Sequence, residues 1–252
     1  MIEMKGQVAL ITGGSRGIGR ACALKLAACG VDVVVNFLSS KDQAAETVRL
    51  AQEFGVRSVA VRADVSDAQE LSAAVDFVAE RFGRLDMIVS NAAAGGFKPL
   101  MAVTPGNWDA VLRHNAAPLL WLAQAAAPVM RERGGRIVAV SSHGSIRAFP
   151  NYGTIGASKA ALESLVRHLA FELGPEGMRF NCVMAGMVAT EAVRSMPHSA
   201  QILKMSQDLM LIRDKVLEPK DVADVVAFLL SPWSDKIQGQ TIVVDGGISI
   251  RV

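Results

Sequence analysis

The chain has 252 residues and one tyrosine, which lies seven residues before a lysine. Tyr152 and Lys159 bracket Asn151-Tyr152-Gly153-Thr154-Ile155-Gly156-Ala157-Ser158-Lys159. A phenol can hydrogen-bond to an oxygen that gains charge, and a nearby ammonium favours its ionised form. Ile155, four residues before Lys159, can donate nothing. On a helix, steps of four and of seven return to nearly the same face. Their axial separations differ, about 6 Å against about 10.5 Å. Pro150 sets Tyr152 at the start of such a helix. A second chemical feature is Thr12-Gly13-Gly14-Ser15-Arg16-Gly17-Ile18-Gly19. It follows an apolar strand and opens a helix. Gly13, Gly17 and Gly19 would let backbone approach a pyrophosphate, whose charge the helix N-terminus favours.

The elements that must position these groups alternate strand with helix, the pattern of a parallel sheet covered on both faces. Strands are expected at 8–12, 31–36, 58–62, 85–90, 135–141, 179–184 and 241–244. Helices are expected at 17–29, 41–54, 105–129 (interrupted by Pro118), 157–173 and 219–230, and one running to Phe82 with Ser66 as its N-cap. The fold class is therefore α/β: one doubly wound parallel sheet of Rossmann type, a single domain over 1–252. Residues 187–217 break the pattern. Met187, Met196, Met205 and Met210 alternate there with Arg194, Lys204, Arg213 and Lys215. This segment is either a substrate lid before the last βα unit or a helical pair packing Met into the core.

Composition excludes several classes. Hydrophobic residues make up 51% and charged residues 20%, with a net charge of +2, so no strong nucleic-acid or membrane field is expected. No apolar run reaches the length of a membrane span and no signal-peptide pattern opens the chain, which points to a cytoplasmic protein. Cys22, Cys29 and Cys182 lack metal-site spacing and read as buried free thiols; no metal is expected.

The Thr-Gly-x-x-x-Gly-x-Gly turn, Asn91-Ala92-Ala93 after the fourth strand, Asn115, and Gly239-Gln240-Thr241-Ile242-Val243-Val244-Asp245-Gly246-Gly247 together resemble the short-chain dehydrogenase/reductase superfamily. Its ketone-reducing members carry Tyr-x-x-x-Lys. The Tyr-x6-Lys spacing, Ala185 in place of a proline, and the run from Ser141 to Tyr152 resemble the NADPH-dependent enoyl-[acyl carrier protein] reductases of type III. The resemblance implies that Lys159 binds the nicotinamide ribose. The longer spacing then moves the phenol away from the hydride donor. That suits an enoyl thioester, which takes hydride at the β-carbon while charge develops on the carbonyl oxygen.

On the same resemblance, Gly13, Ser15, Arg16, Gly17, Ile18, Gly19, Asp64, Val65, Asn91, Ala92, Gly186 and Thr190 bind the cofactor with Lys159. Tyr152, Lys159, Ser142 and Asn115 form the catalytic group. NADPH is expected over NADH, because Val35 to Lys41 contains no carboxylate for the ribose 2′-hydroxyl, while Arg16 and Lys41 can meet a 2′-phosphate. Ser142 is open to three readings: an ancestral leftover, a second donor, or the support of ketone reduction. His143 reads as a loop histidine. The expected partners are an acyl carrier protein or acyl-CoA thioester and further copies of the chain. A dimer or tetramer would form through 119–129 and the helix after Lys159. The alternatives are a keto or quinone reductase, and a nucleotide-binding relative without catalysis.

Overall fold

The computed structural model describes residues 3–194, 198–212 and 216–251. Met196, Arg213 and Lys215 of the segment 187–217 lie outside the described residues. The elements in chain order are β1 (Val8–Ile11), α1 (Gly17–Ala28), β2 (Asp32–Phe37), α2 (Lys41–Gln52), β3 (Ser58–Arg62), α3 (Ala68–Phe82), β4 (Met87–Ser90), α4 (Pro105–Asn115), α5 (Ala117–Met130), β5 (Arg136–Ser142), α6 (Gly153–Leu173), β6 (Arg179–Ala185), α7 (Glu191–Arg194), α8 (Ser199–Leu209), α9 (Pro219–Leu230) and β7 (Thr241–Val244).

The strands form one sheet in the order β3-β2-β1-β4-β5-β6-β7, with every pairing parallel. β1 shows why the central strands read as unbroken apolar runs. Ala9 and Ile11 enter one core with Leu26 and Val226, while Val8 and Leu10 enter the other with Leu71 and Leu119. Both faces of the sheet are covered, so period-two alternation is absent. Chain order reverses between β1 and β4, and the crevice above their carboxyl ends is where such sheets take ligands.

One local expectation is borne out in sharper form and two are corrected. The helix at 105–129 is two helices, because Pro118 has no N–H and its ring would meet the carbonyl four residues back. The break at Ala116 leaves Asn115 buried at the end of α4. Asp67, not Ser66, caps α3, accepting from the N–H groups of Gln69 (2.8 Å) and Glu70 (3.1 Å). Ser66 instead gives its N–H and hydroxyl to Asp64. Finally, α6 begins at Gly153, four residues earlier than expected, with Tyr152 as its N-cap.

Much of 119–129 serves the chain's own core. Leu119, Leu122, Ala123 and Ala126 are fully buried, and Leu120, Trp121, Ala125 and Val129 pack against the same cluster. Cys22, Cys29 and Cys182 are buried free thiols; burial pushes Cys22 and Cys182 up to about 12. Among the described residues no helix is long and apolar enough to cross a membrane. Nor does any group of three metal-ligating side chains occur among them.

At the floor of the sheet, Asp86 accepts from the Val8 N–H (2.8 Å) and from Arg84 Nε (2.8 Å) and Nη2 (2.7 Å). Asp86→Ala strands a buried strand donor and is expected to cost about 1–3 kcal/mol. Urea denaturation should show this as a lower midpoint with an unchanged slope.

Candidate active site

The crevice begins at the glycine turn. Gly13 and Gly17 have positive φ, 61° and 56°, which glycine adopts without strain. Gly19 is required by packing, since a Cβ there would overlap the Gly13 carbonyl oxygen and lie 2.6 Å from Asn91 Nδ2. The N-cap of α1 is Arg16, and no side chain caps that helix. Its first-turn N–H groups therefore face the crevice as an anion site, and the backbone there is bare enough for a pyrophosphate. The donor set fits a dinucleotide.

Asn91 and Thr12 hold the turn. Thr12 Oγ1 accepts from the N–H groups of Asn91 (2.9 Å) and Ala92 (3.1 Å). Asn91 Nδ2 donates to the carbonyls of Thr12 (2.9 Å) and Gly13 (3.3 Å). Asn91 thus braces the cofactor turn with its side chain. Thr190 sits across the turn: a Cβ on Gly17 would be 3.4 Å from Thr190 Cγ2. Ser15 is buried and Ile18 packs into the core beneath.

Toward β2 and β3 the crevice is walled by Asn36, which is 2% exposed, with Nδ2 donating to the Ala63 carbonyl at 3.0 Å. Asp64 uses Oδ1 on Ser66 and takes Glu70 Oε2 at its N–H (2.7 Å). The Ser66 donors hold its carboxyl below the usual carboxylate range. Val65 is half-buried beside it. Arg16 and Lys41 are exposed and make no ion pair among the described residues.

The structure brings Ser142 and Tyr152 together, with Ser142 Oγ 3.0 Å from Tyr152 Oη. The phenol ring lies over Gly144 so closely that a Cβ there would overlap it. Phe97 and Phe149 flank it at 5.8 and 6.1 Å between ring centroids. Asn151, just before it, has φ 62°, a conformation Asn tolerates, and its carbonyl accepts the Lys98 N–H at 2.9 Å. The ring opens on a cleft of about 260 Å³ lined by Lys98, Leu100, Arg147 and Phe149. Ile155 is 8% exposed and fills the wall between α6 and Gly95.

Lys159 lies one strand-end deeper. It is 6% exposed and donates to the Val140 carbonyl at 2.8 Å. Burial pushes its ammonium down to about 8; the neighbouring Glu163 acts the other way. Glu163 is itself buried and accepts from Ser141 Oγ. Asn115 accepts the Ala94 N–H (2.8 Å) and donates to Ser158 Oγ (2.9 Å), tying the loop after β4 to α6. Gly186, at the end of β6, faces Asp245.

Comparison with known proteins shows the family. A family model described as Enoyl-(Acyl carrier protein) reductase matches residues 13–249. The chain belongs to the short-chain dehydrogenase/reductase superfamily. A Streptomyces collinus relative, described as a 1-cyclohexenylcarbonyl-CoA reductase, is 43% identical over 97% of this chain and 87% of its own length. The Escherichia coli (strain K12) 7alpha-hydroxysteroid dehydrogenase is 33% identical over 98% of this chain and 95% of its own. A solved short chain dehydrogenase from Burkholderia cenocepacia J2315, in complex with NADP, is 35% identical with a TM-score of 0.90, covering 98% of this chain and 99% of that one.

Several site residues of this short-chain dehydrogenase/reductase escaped sequence reasoning. Arg20 donates to the Ser15 carbonyl (2.7 Å from Nη2) and to Thr47 Oγ1 (2.9 Å), pinning the glycine turn to α2. An Arg three residues past Gly17 carries no signal of that. His143 does lie in the turn after β5, but it is 6% exposed and paired with Asp245, which the loop reading did not anticipate. The glycine turn yields a contrasting pair of substitutions. Gly19→Ala forces backbone apart and is expected to cost about 1–3 kcal/mol. Gly106→Ala, in α4 with nothing within 4 Å of its Cβ position, should be neutral or stabilise by about 0.4–1 kcal/mol. Thermal unfolding of the two variants checks both signs.

Proposed function

We propose that this oxidoreductase reduces the carbon–carbon double bond of an α,β-unsaturated acyl thioester, with NADPH as the hydride source. One observation carries the reading: the only phenol stands seven residues before Lys159, open to the cleft, while the position four residues before it holds a buried isoleucine. The Streptomyces collinus relative supports it, since its name describes the CoA thioester of a cyclohexene acid. The family description supports the carrier-protein form of the same chemistry. NADPH is favoured because Asn36 and Phe37 end β2 without a carboxylate and Arg16 and Lys41 make no ion pair among the described residues. The neighbouring Burkholderia cenocepacia structure holds NADP.

In the mechanism we infer, NADPH held in the crevice would supply the hydride that the β-carbon takes. The double-bond electrons move toward the thioester carbonyl, and Tyr152 stabilises that oxygen by hydrogen bonding. Ser142, 3.0 Å from the phenol, orients it. Lys159 keeps a positive charge under the site and favours ionisation of the phenol as its proton leaves for the α-carbon. Asn115 and Asn91 hold the loop and the turn that frame the nicotinamide end. Gly13, Gly17, Gly19 and Thr190 would hold the pyrophosphate. Leu100, Phe97 and Phe149 give the acyl chain an apolar wall, with Lys98 and Arg147 at the rim. α8 exposes Met205 and Leu209 and acts as the cover of the acyl chain. Phe171, 82% exposed near the end of α6, is the apolar group that assembly into a dimer or tetramer would cover.

A second reading has its own support. Ser142 and Tyr152 form a pair able to grip a ketone oxygen, and the Escherichia coli relative is named as a hydroxysteroid dehydrogenase. NADPH oxidation with a trans-2-enoyl-CoA, run beside a 3-ketoacyl-CoA of equal length, separates the two. Turnover of the enoyl thioester alone is expected; turnover of the ketone alone would overturn the proposal. Tyr152→Phe is expected to lower kcat by about 10²-fold or more while sparing NADPH affinity.

The pH dependence follows from Lys159. Burial lowers its pKa, so the charged form predominates below about 8, is half populated there and is lost above it. The expected kcat/KM falls as pH rises through that value. In Lys159→Arg the guanidinium stays charged, and the alkaline fall should move upward.

A further inference from the structure

The turn that seats Tyr152 is anchored by residues distant from it in the chain. Residues 143–145 form one tight turn after β5, and Gly144 lies beneath the phenol ring. Within that turn His143 Nε2 lies 2.9 Å from Asp245 Oδ2, across two strand positions and 102 residues of chain. The Asp245 carboxylate also accepts from the N–H groups of Gly247 (2.8 Å) and Ser249 (2.7 Å). Burial alone would raise its carboxyl, but these donors hold it below the usual range, so the oxygen accepts and His143 Nε2 carries the proton. Both side chains are buried, at 6% and 5% exposure. The pair passes over the end of β6, where a Cβ on Gly186 would be 3.0 Å from Asp245 Cβ.

The other end of this strut carries the segment of α8. The N–H groups of Leu211 and Ile212 both donate to the Gly246 carbonyl, at 2.8 and 3.1 Å. Met210, 2% exposed, packs on Gly246, and Leu211 packs on Gly247. Arg251 donates to the Asp208 carbonyl at 2.9 Å, and Arg147 to the Ser249 carbonyl. A continuous set of contacts therefore runs from residues 208–212 through 245–251 to His143 and the Tyr152 seat. Each contact is a hydrogen bond or a tight glycine contact, which leaves little slack.

We propose that His143 and Asp245 are positioning residues that couple the docking of residues 208–212 to the placement of the Tyr152 phenol. The acting role of Tyr152 rests on the function proposed above; the coupling itself is a property of the resting protein and can be read without substrate. Neither His143 nor Asp245 touches the cleft that Tyr152 opens on.

Because Tyr152 is the only tyrosine, ring-labelled 13C-tyrosine gives one NMR signal that reports this phenol alone. His143→Ala should move or broaden that signal, and His143→Gln, which keeps a donor toward Asp245, should restore most of it. Arg251→Ala and Met210→Ala loosen the far end and should move the same signal in the parent protein. In the His143→Ala background they should move it no further, the non-additivity expected of linked sites. An unmoved signal in His143→Ala overturns the proposal. So does a full additional shift from Arg251→Ala in that background, since the far end would then act by another route. If Met210→Ala fails to fold, Arg251→Ala, on an exposed residue, carries the test alone.

With the enoyl thioester, His143→Ala should lower kcat on the order of 10²-fold with KM little changed, as a misplaced acid does. If the signal shifts as expected and no enoyl turnover is seen even in the parent protein, the proposed reaction fails while the coupling stands.

Discussion

Lys159 is a cation taken almost entirely out of water, and the arrangement around it follows from that cost. An isolated buried ammonium is unfavourable by several kcal/mol unless acceptors and opposite charge compensate it. The Val140 carbonyl accepts a hydrogen bond from it, and the buried carboxyl group of Glu163, one helical turn further along α6, lies close enough to oppose the effect of burial. Glu163 in turn is held by Ser141 on the adjacent strand. The end of β5 thus supplies three consecutive groups to the site: the Val140 carbonyl below, the Ser141 hydroxyl on the carboxyl group, and the Ser142 hydroxyl on the phenol. A slip of one residue in β5 would exchange these roles, because alternate strand residues face opposite ways. The register of β5 on β4 and β6 is therefore also the alignment of the site.

Small residues do a second job here. Gly144 and Gly156 meet face to face, and a Cβ on Gly156 would overlap the Gly144 carbonyl oxygen. That contact lets α6 approach the end of β5 closely enough for a tyrosine at its N-cap to reach a strand serine. Leu100 packs where a Cβ on Gly153 would be. The first turn of α6 is thus rich in glycine despite its helix cost, and close approach is the compensation.

What could be read from sequence was local. The glycine turn, the strand runs, the helix at 219–230 and the Tyr-to-Lys spacing all depend on residues within one or two turns of each other. The break at Ala116 was readable in part, since Pro118 announced an interruption but not that Asn115 would be freed to bridge Ala94 and Ser158. The contacts that were missed join distant segments. Arg20 reaches Thr47, Asn91 reaches Thr12 and Gly13, and His143 reaches Asp245. No periodicity or spacing carries such pairs. They exist only once the order of strands is known, and for His143 the loop position was legible while its partner, 102 residues away, was not.

The strand order also bears on how the chain reaches this state. β1 pairs with β2, whose register partner for Val8 is Asp32, and on its other edge with β4, where Ala9 meets Met87. The first 62 residues can assemble β3, β2 and β1, but β1 then presents an open edge and a half-covered apolar face until β4 arrives. Synthesis delivers that stretch first. An unpaired parallel edge is both slow to complete and a template for another chain. The central place of β1, which puts the glycine turn at the reversal of the sheet, makes the middle of the molecule the last part of its N-terminal half to be sealed.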